Sequence, residues 1–109
     1  MTDLPKRVLV MAEIGSSGIF DASGPDPESR TMLTHVQLGL PPDVRRRFEH
    51  WLGLFWDISN RPTSFDLGKT NEIGRVVAEA LKGFLGAAVV VEYQPISITG
   101  ARGKVEVVP

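Results

Sequence analysis

The sequence predicts an α+β domain: a small, mostly antiparallel sheet of three to five strands packed against two helices. Three stretches carry that prediction. Residues 70–92, TNEIGRVVAEALKGFLGAAVVVE, encode a helix, its stop signal and a buried strand in succession. Ile73, Val77, Ala80, Leu81 and Phe84 recur at helical spacing, Gly86 supplies the left-handed residue that ends helices, and Ala87 to Val91 is a continuous apolar run of strand length. Arg7 to Ile14, RVLVMAEI, is rich in strand formers and is closed by the breaker cluster Gly15-Ser16-Ser17-Gly18. Between these stretches Pro41-Pro42-Asp43 opens a helix, because proline suits the first helical turn and an acidic residue there complements the positive end of the dipole.

The remaining elements follow in chain order. Ile19-Phe20-Asp21 pairs back on the first strand as a brief second one, and residues 22–30, ASGPDPESR, combine glycine, two prolines and hydrogen-bonding turn formers into a loop. Met32, Leu33, Val36, Leu38 and Leu40 mix both periods, and Leu33 to Gln37 is assigned to a strand. The first helix is expected from Pro42 to about Ile58. At 100° per residue, Val44, Phe48, Trp51 and Phe55 fall within roughly 60° of one another, while Leu52, Leu54, Trp56 and Ile58 widen the apolar arc to about 200°. A surface helix needs only about 100° of apolar stripe, so this helix is either sandwiched on two sides or presents apolar surface to a partner. Trp51 and Phe55 read as core. Trp56, at the edge of the arc, suits core and interface equally.

Breakers in residues 59–67 separate the two helices, with Phe65 or Leu67 stapling the entry to the second. Gly68 and Gly74 each cost about 0.5 to 1 kcal/mol inside a helix, which places its start between Asp66 and Asn71. A strand is expected from Ala87 to Tyr93. Ile96 to Ile98 and Lys104 to Val108 are two further strand candidates, the last an edge strand.

The 109 residues suffice for one core and fit a single domain over residues 1–109. A formal net charge of −1 gives no overall attraction to nucleic acid or anionic lipid, and the absence of cysteine excludes disulfides, a thiolate zinc site and a cysteine nucleophile. No apolar stretch approaches the ~20 residues of a membrane span, and Asp3 and Pro5 stand where a secretory signal needs a basic and then an apolar region. A cytoplasmic protein of bacterial type is expected, with no cofactor and with neither nucleic acid nor membrane as partner.

No motif assembles a catalytic or metal site. Gly15-Ser16-Ser17-Gly18 lacks the Lys-Ser or Lys-Thr and the following helix of a phosphate loop, and it does not match the Gly-x-Ser-x-Gly spacing of a nucleophile elbow. Asp21, Ser23, Asp26 and Glu28 lack the glycine and terminal glutamate of a calcium loop. His35 and His50 have no neighbour at ligand spacing; His50 reads as a surface residue and His35 as partly buried and hydrogen-bonded. Arg45-Arg46-Arg47 point about 100° apart and cannot form one flat basic patch.

Several separated pieces together resemble a group of small, single-domain bacterial proteins with no established activity. They are the first strand into Gly15, Ile19-Phe20-Asp21, Leu40-Pro41, Trp51-x-x-x-Phe55-Trp56-Asp57, Ile73-Gly74-Arg75-x-x-Ala78-x-x-Leu81, Leu85-Gly86 and Val91-Glu92-Tyr93. The resemblance covers roughly residues 7–93 and departs from the group's pattern at Gly68-Lys69, before Gly74 and in the C-terminal strand. It implies the fold and draws attention to Asp57 and Arg75. Asp57 ends the first helix and Arg75 lies early in the expected second helix, each where the dipole disfavours its charge. A mutual ion pair reconciles both, and a ligand contact is the alternative.

The expected function is a non-enzymatic protein-interaction module, immunity-like or accessory, binding another protein or a second copy of itself through the aromatic helix, with Leu52 and Trp56 at the interface. The alternative is a small enzyme or ligand binder using Glu13, Asp21, Asp57, Arg75 or His35 in a polar cleft between sheet and helices.

Overall fold

β1 (Arg7–Met11) places Val8 and Val10 on one face of the sheet and Leu9 on the other, all of them buried, as the two-residue side-chain period requires. The computed structural model describes residues 4–13, 15–26, 30–58, 64–96 and 103–109, with the backbone alone for Ile58 and residues 64–66. The Gly15–Gly18 turn reverses the chain, with both glycines in the left-handed region at φ 79° and 81°. β2 (Ile19–Asp21) then pairs antiparallel with β1, Leu9 opposite Phe20. β3 (Thr31–Met32) adds to the free edge of β2.

Here the structure corrects the sequence reading. Leu33 to Gln37 is not a strand: β3 has already ended, and α1 (His35–Leu38) is a single helical turn. Thr34 caps it by accepting from the Gln37 amide while the Gln37 side chain accepts from the Thr34 amide, and Gly39 ends it at φ 65°. That reciprocal cap satisfies two otherwise unpaired amides and outweighs the strand propensity of Leu33 and Val36.

α2 (Pro42–Ile58) starts at its proline as expected. α3 (Ser64–Leu85) begins earlier than expected and runs through both Gly68 and Gly74. Leu67 is buried in that first part, so packing overrides the cost of the glycines. Gly86, at φ 84°, ends the helix. Lys82 Nζ donates to the Val89 carbonyl at 2.6 Å across the turn that follows. Ala87 and Ala88 are exposed in this turn, so the strand starts later than predicted, as β4 (Val90–Gln94). β5 (Glu106–Val107) closes the sheet within the expected Lys104–Val108 stretch. Ile96 is buried, whereas residues 97–98 of the other strand candidate lie outside the described residues.

The five strands run in the order β3-β2-β1-β4-β5. β4 lies parallel to β1, Val8 beside Val91, and the other three pairs are antiparallel. A parallel neighbour needs a long crossover, which the helical stretch supplies. Val8, Val10, Ile19, Val91 and Tyr93 meet Phe48 and Trp51 of α2 and Val77, Ala78 and Leu81 of α3 in one core. On the opposite face Leu9, Phe20 and Ala22 form a smaller cluster with Met11 and Val105. The result is an α+β domain with both long helices sharing one core against the sheet.

Candidate functional site

The aromatic helix divides its apolar residues between interior and surface. Phe48 and Trp51 are fully buried, edge to face with centroids 6.2 Å apart, and Trp51 packs at 6.0 Å on Tyr93. Leu52 and Phe55 are half-buried against the same core, and Leu52 reaches toward Gly18 of the hairpin turn. Trp56 is 58 % exposed. Of the two interface candidates, then, Leu52 contributes to the core and Trp56 projects outward.

Asp57 lies exposed in the last turn of α2. Arg75 lies in the middle of α3, because that helix starts at Ser64, so the dipole argument made for it does not apply. Its guanidinium forks onto Glu106 of β5, Nε to Oε1 and Nη2 to Oε2 both at 2.8 Å, and sits 5.7 Å from the Tyr93 ring centroid. The described ion pair of Arg75 is therefore with Glu106 and not with Asp57. The hydrogen bond from Arg75 holds the Glu106 carboxyl below the usual carboxylate range, and the same bond raises the Arg75 guanidinium above its ordinary value.

The polar residues considered for chemistry are spread over the fold. Asp21 pairs with Val8 at the start of β1 and accepts from the Ser23 amide at 2.9 Å, whereas Glu13 follows the far end of that strand. Arg75 reaches β5, separated from β2 by β1 and β4. His35 donates from Nε2 to the Ser17 carbonyl at 3.0 Å and leans on Phe48, which ties α1 to the hairpin turn. His50 is exposed. Among the described residues no group of three or more His, Cys, Asp or Glu is placed to hold a metal. No described helix is long and apolar enough to cross a membrane.

Two features had no clear signature in the sequence. The first is a buried polar clasp: Asn71 Oδ1 accepts from the Tyr93 hydroxyl at 2.7 Å and from the Ile96 amide at 3.0 Å, while its Nδ2 donates to the Ile96 carbonyl at 2.9 Å. The second is a groove of about 470 Å³ between α2 and α3. Ile73, Val76 and Val77 give it an apolar lining, with Arg47, Lys69 and Glu72 among its charged residues. Val76 is 48 % exposed there. The spacing of Ile73, Val76, Ala80 and Phe84 signals an outward second stripe on α3, but the same residues also read as one wide core face. Comparison with family models, curated proteins and solved structures finds no match to this chain.

Proposed function

We propose that this chain is a non-enzymatic protein-interaction module, immunity-like or accessory in role, that binds through the outward side of its two long helices. The observation carrying this reading is Trp56, 58 % exposed on an otherwise well-packed aromatic helix. Large aromatic side chains left on a surface are enriched at protein interfaces, where they contribute much of the affinity. Val76 and Phe84 on α3, also partly exposed, extend the apolar character of the helical layer. The sheet edges are poorer docking templates, since β3 and β5 are two residues long each.

The partner is another protein or a second copy of the chain. Size-exclusion chromatography with light scattering separates the two: a concentration-dependent dimer that Trp56→Glu abolishes supports self-association, and a monomer directs the search to a partner. The decisive test is affinity capture from the source organism with wild-type and Trp56→Glu baits. Specific retention by the wild type alone is expected. If both baits retain the same proteins, or neither retains any and the chain is monomeric, the reading is wrong.

The ligand-binding alternative draws on the groove, whose volume lies in the range of small-molecule sites. The interlayer space offers it little room, because Phe48, Trp51, Leu81 and Tyr93 occupy it and are fully buried.

A further inference from the structure

We propose that the outer face of the sheet, opposite the helices, carries a binding site for a free α-amino acid, independent of the helical surface that Trp56 marks. Its centre is Glu92. β4 pairs with β1 so that Glu92 lies beside Leu9, on the face turned away from the main core. The Glu92 side chain is only 14 % exposed, and its one partner among the described residues is Arg7, whose Nε stands 3.8 Å away, beyond hydrogen-bond distance. A mostly buried carboxylate normally accepts several hydrogen bonds, so this one keeps capacity for a donor that the described chain does not supply. The fork between Arg75 and Glu106, with both bonds at 2.8 Å, shows the satisfied alternative elsewhere in the fold.

Glu92 opens into a cleft of about 200 Å³ that also holds Arg7, Asp26 and Arg30. Arg30 is half-buried there, and its side chain has no hydrogen bond or ion pair among the described residues. Two guanidinium groups thus offer forked donors to a carboxylate, while Glu92 offers an acceptor to an ammonium. The balance of two arginines and two acids selects the ligand. Glu92 and Asp26 repel a simple anion, the arginines repel a simple cation, and a small zwitterion that bears both charged groups on one carbon meets both demands. An adjoining hollow of about 440 Å³ shares Arg7, Gly24 and Pro25 with the cleft and adds Lys6 and Ser23, which gives the ligand's side chain a polar compartment. Ser23 Oγ accepts from the amides of Lys6 and Arg7 at 3.1 and 3.3 Å, the Ala22 amide donates to the Arg7 carbonyl at 3.0 Å, and Asp21 Oδ1 accepts from the Ser23 amide at 2.9 Å. These bonds tie the chain after β2 to the start of β1, so that wall of the site is formed before a ligand arrives.

Isothermal titration calorimetry of the whole chain against each of the standard free amino acids tests the site. At least one with a polar side chain is expected to bind saturably, one molecule per chain. Its N-acetyl derivative and its amide, which remove the positive and the negative charge in turn, are expected to bind about tenfold or more weakly. Glu92→Gln and Arg30→Gln are expected to weaken the unmodified ligand in the same way. The N-acetyl derivative should be indifferent to Glu92→Gln, because it has no ammonium to offer, and the amide indifferent to Arg30→Gln. Circular dichroism confirms that both variants fold, and the derivatives decide on the wild type alone if one does not. Derivatives that bind as well as their parent, or no saturable binding of any amino acid at millimolar concentration, overturn the site. Binding of acetate or inorganic phosphate in place of amino acids marks a plain anion site and overturns it equally.

Discussion

Gly74 shows how one residue sets the distance between layers. A Cβ built there meets Tyr93 Oη at 2.5 Å and Trp51 Nε1 at 2.7 Å, so α3 can lie this close to the indole and phenol only without a side chain. Alanine improves helix propensity by about 1 kcal/mol, but the clash of rigid, fully buried rings outweighs it. Gly74→Ala is expected to destabilise the fold by about 1–3 kcal/mol in urea titration. Gly83→Ala, where the added carbon meets nothing within 4 Å, is expected to stabilise it by about 0.5–1 kcal/mol. Equal effects at the two glycines would contradict the packing account. The buried Trp51 Nε1 has no hydrogen-bond partner among the described residues, a cost that the contacts of the indole offset.

Arg75 and Glu106 make the second argument at this scale. The folded-state pKa of Glu106 is depressed, so the pair's stabilisation is fully present above the ordinary glutamate pKa and is lost as pH falls through the lowered value. Both side chains are more than 40 % exposed, at 44 % and 42 %, and solvent screening limits the contribution to about 1 kcal/mol or less. Glu106→Gln is expected to lower stability by that amount near neutral pH and to match the wild type at strongly acidic pH. A difference that persists undiminished in acid would assign the effect to packing rather than charge.

At the scale of elements, the Asn71 clasp ties α3 both to β4 through Tyr93 and to the chain beyond it through Ile96. All three residues are buried, so removing the amide strands several groups away from water. Asn71→Ala is expected to cost about 2–4 kcal/mol, and Tyr93→Phe, which removes the hydrogen bond to Asn71 and keeps the ring, about 1 kcal/mol. Similar losses from the two would show that the Ile96 bonds contribute little. The clasp was not legible in the sequence, because Asn71 and Ile96 stand 25 positions apart and neither belongs to a local motif. α1 is a different kind of miss. Its signature was present, Thr34-x-x-Gln37 followed by Gly39, but a single helical turn offers too few residues for its period to compete with the apolar pattern around it.

For the whole molecule, the two tryptophans of α2 differ in burial, so stability and the proposed recognition can be tested apart. Trp51 is fully buried and Trp56 is 58 % exposed. Trp51→Ala is expected to cost about 3–5 kcal/mol, and Trp56→Ala to change stability by about 0.5 kcal/mol or less. Thermal and urea unfolding check both. If Trp56→Ala also proves costly, its indole is part of the packing and the interaction proposal loses its main support.

Local chemistry wrote much of the architecture directly into the chain. The Gly15–Gly18 turn, the proline entry of α2, the Gly86 stop and the apolar faces of the principal strands each follow from the conformational and burial preferences of neighbouring residues. The tertiary structure alone decided how far the overwide apolar arc of α2 could be enclosed, leaving Leu52 against the core and Trp56 outside. It also gave Arg75 to Glu106 rather than Asp57, since an ion pair depends on which elements the sheet order brings together. Periodicity counts the apolar residues on a helix, but only the packed neighbours determine which of them lose contact with water.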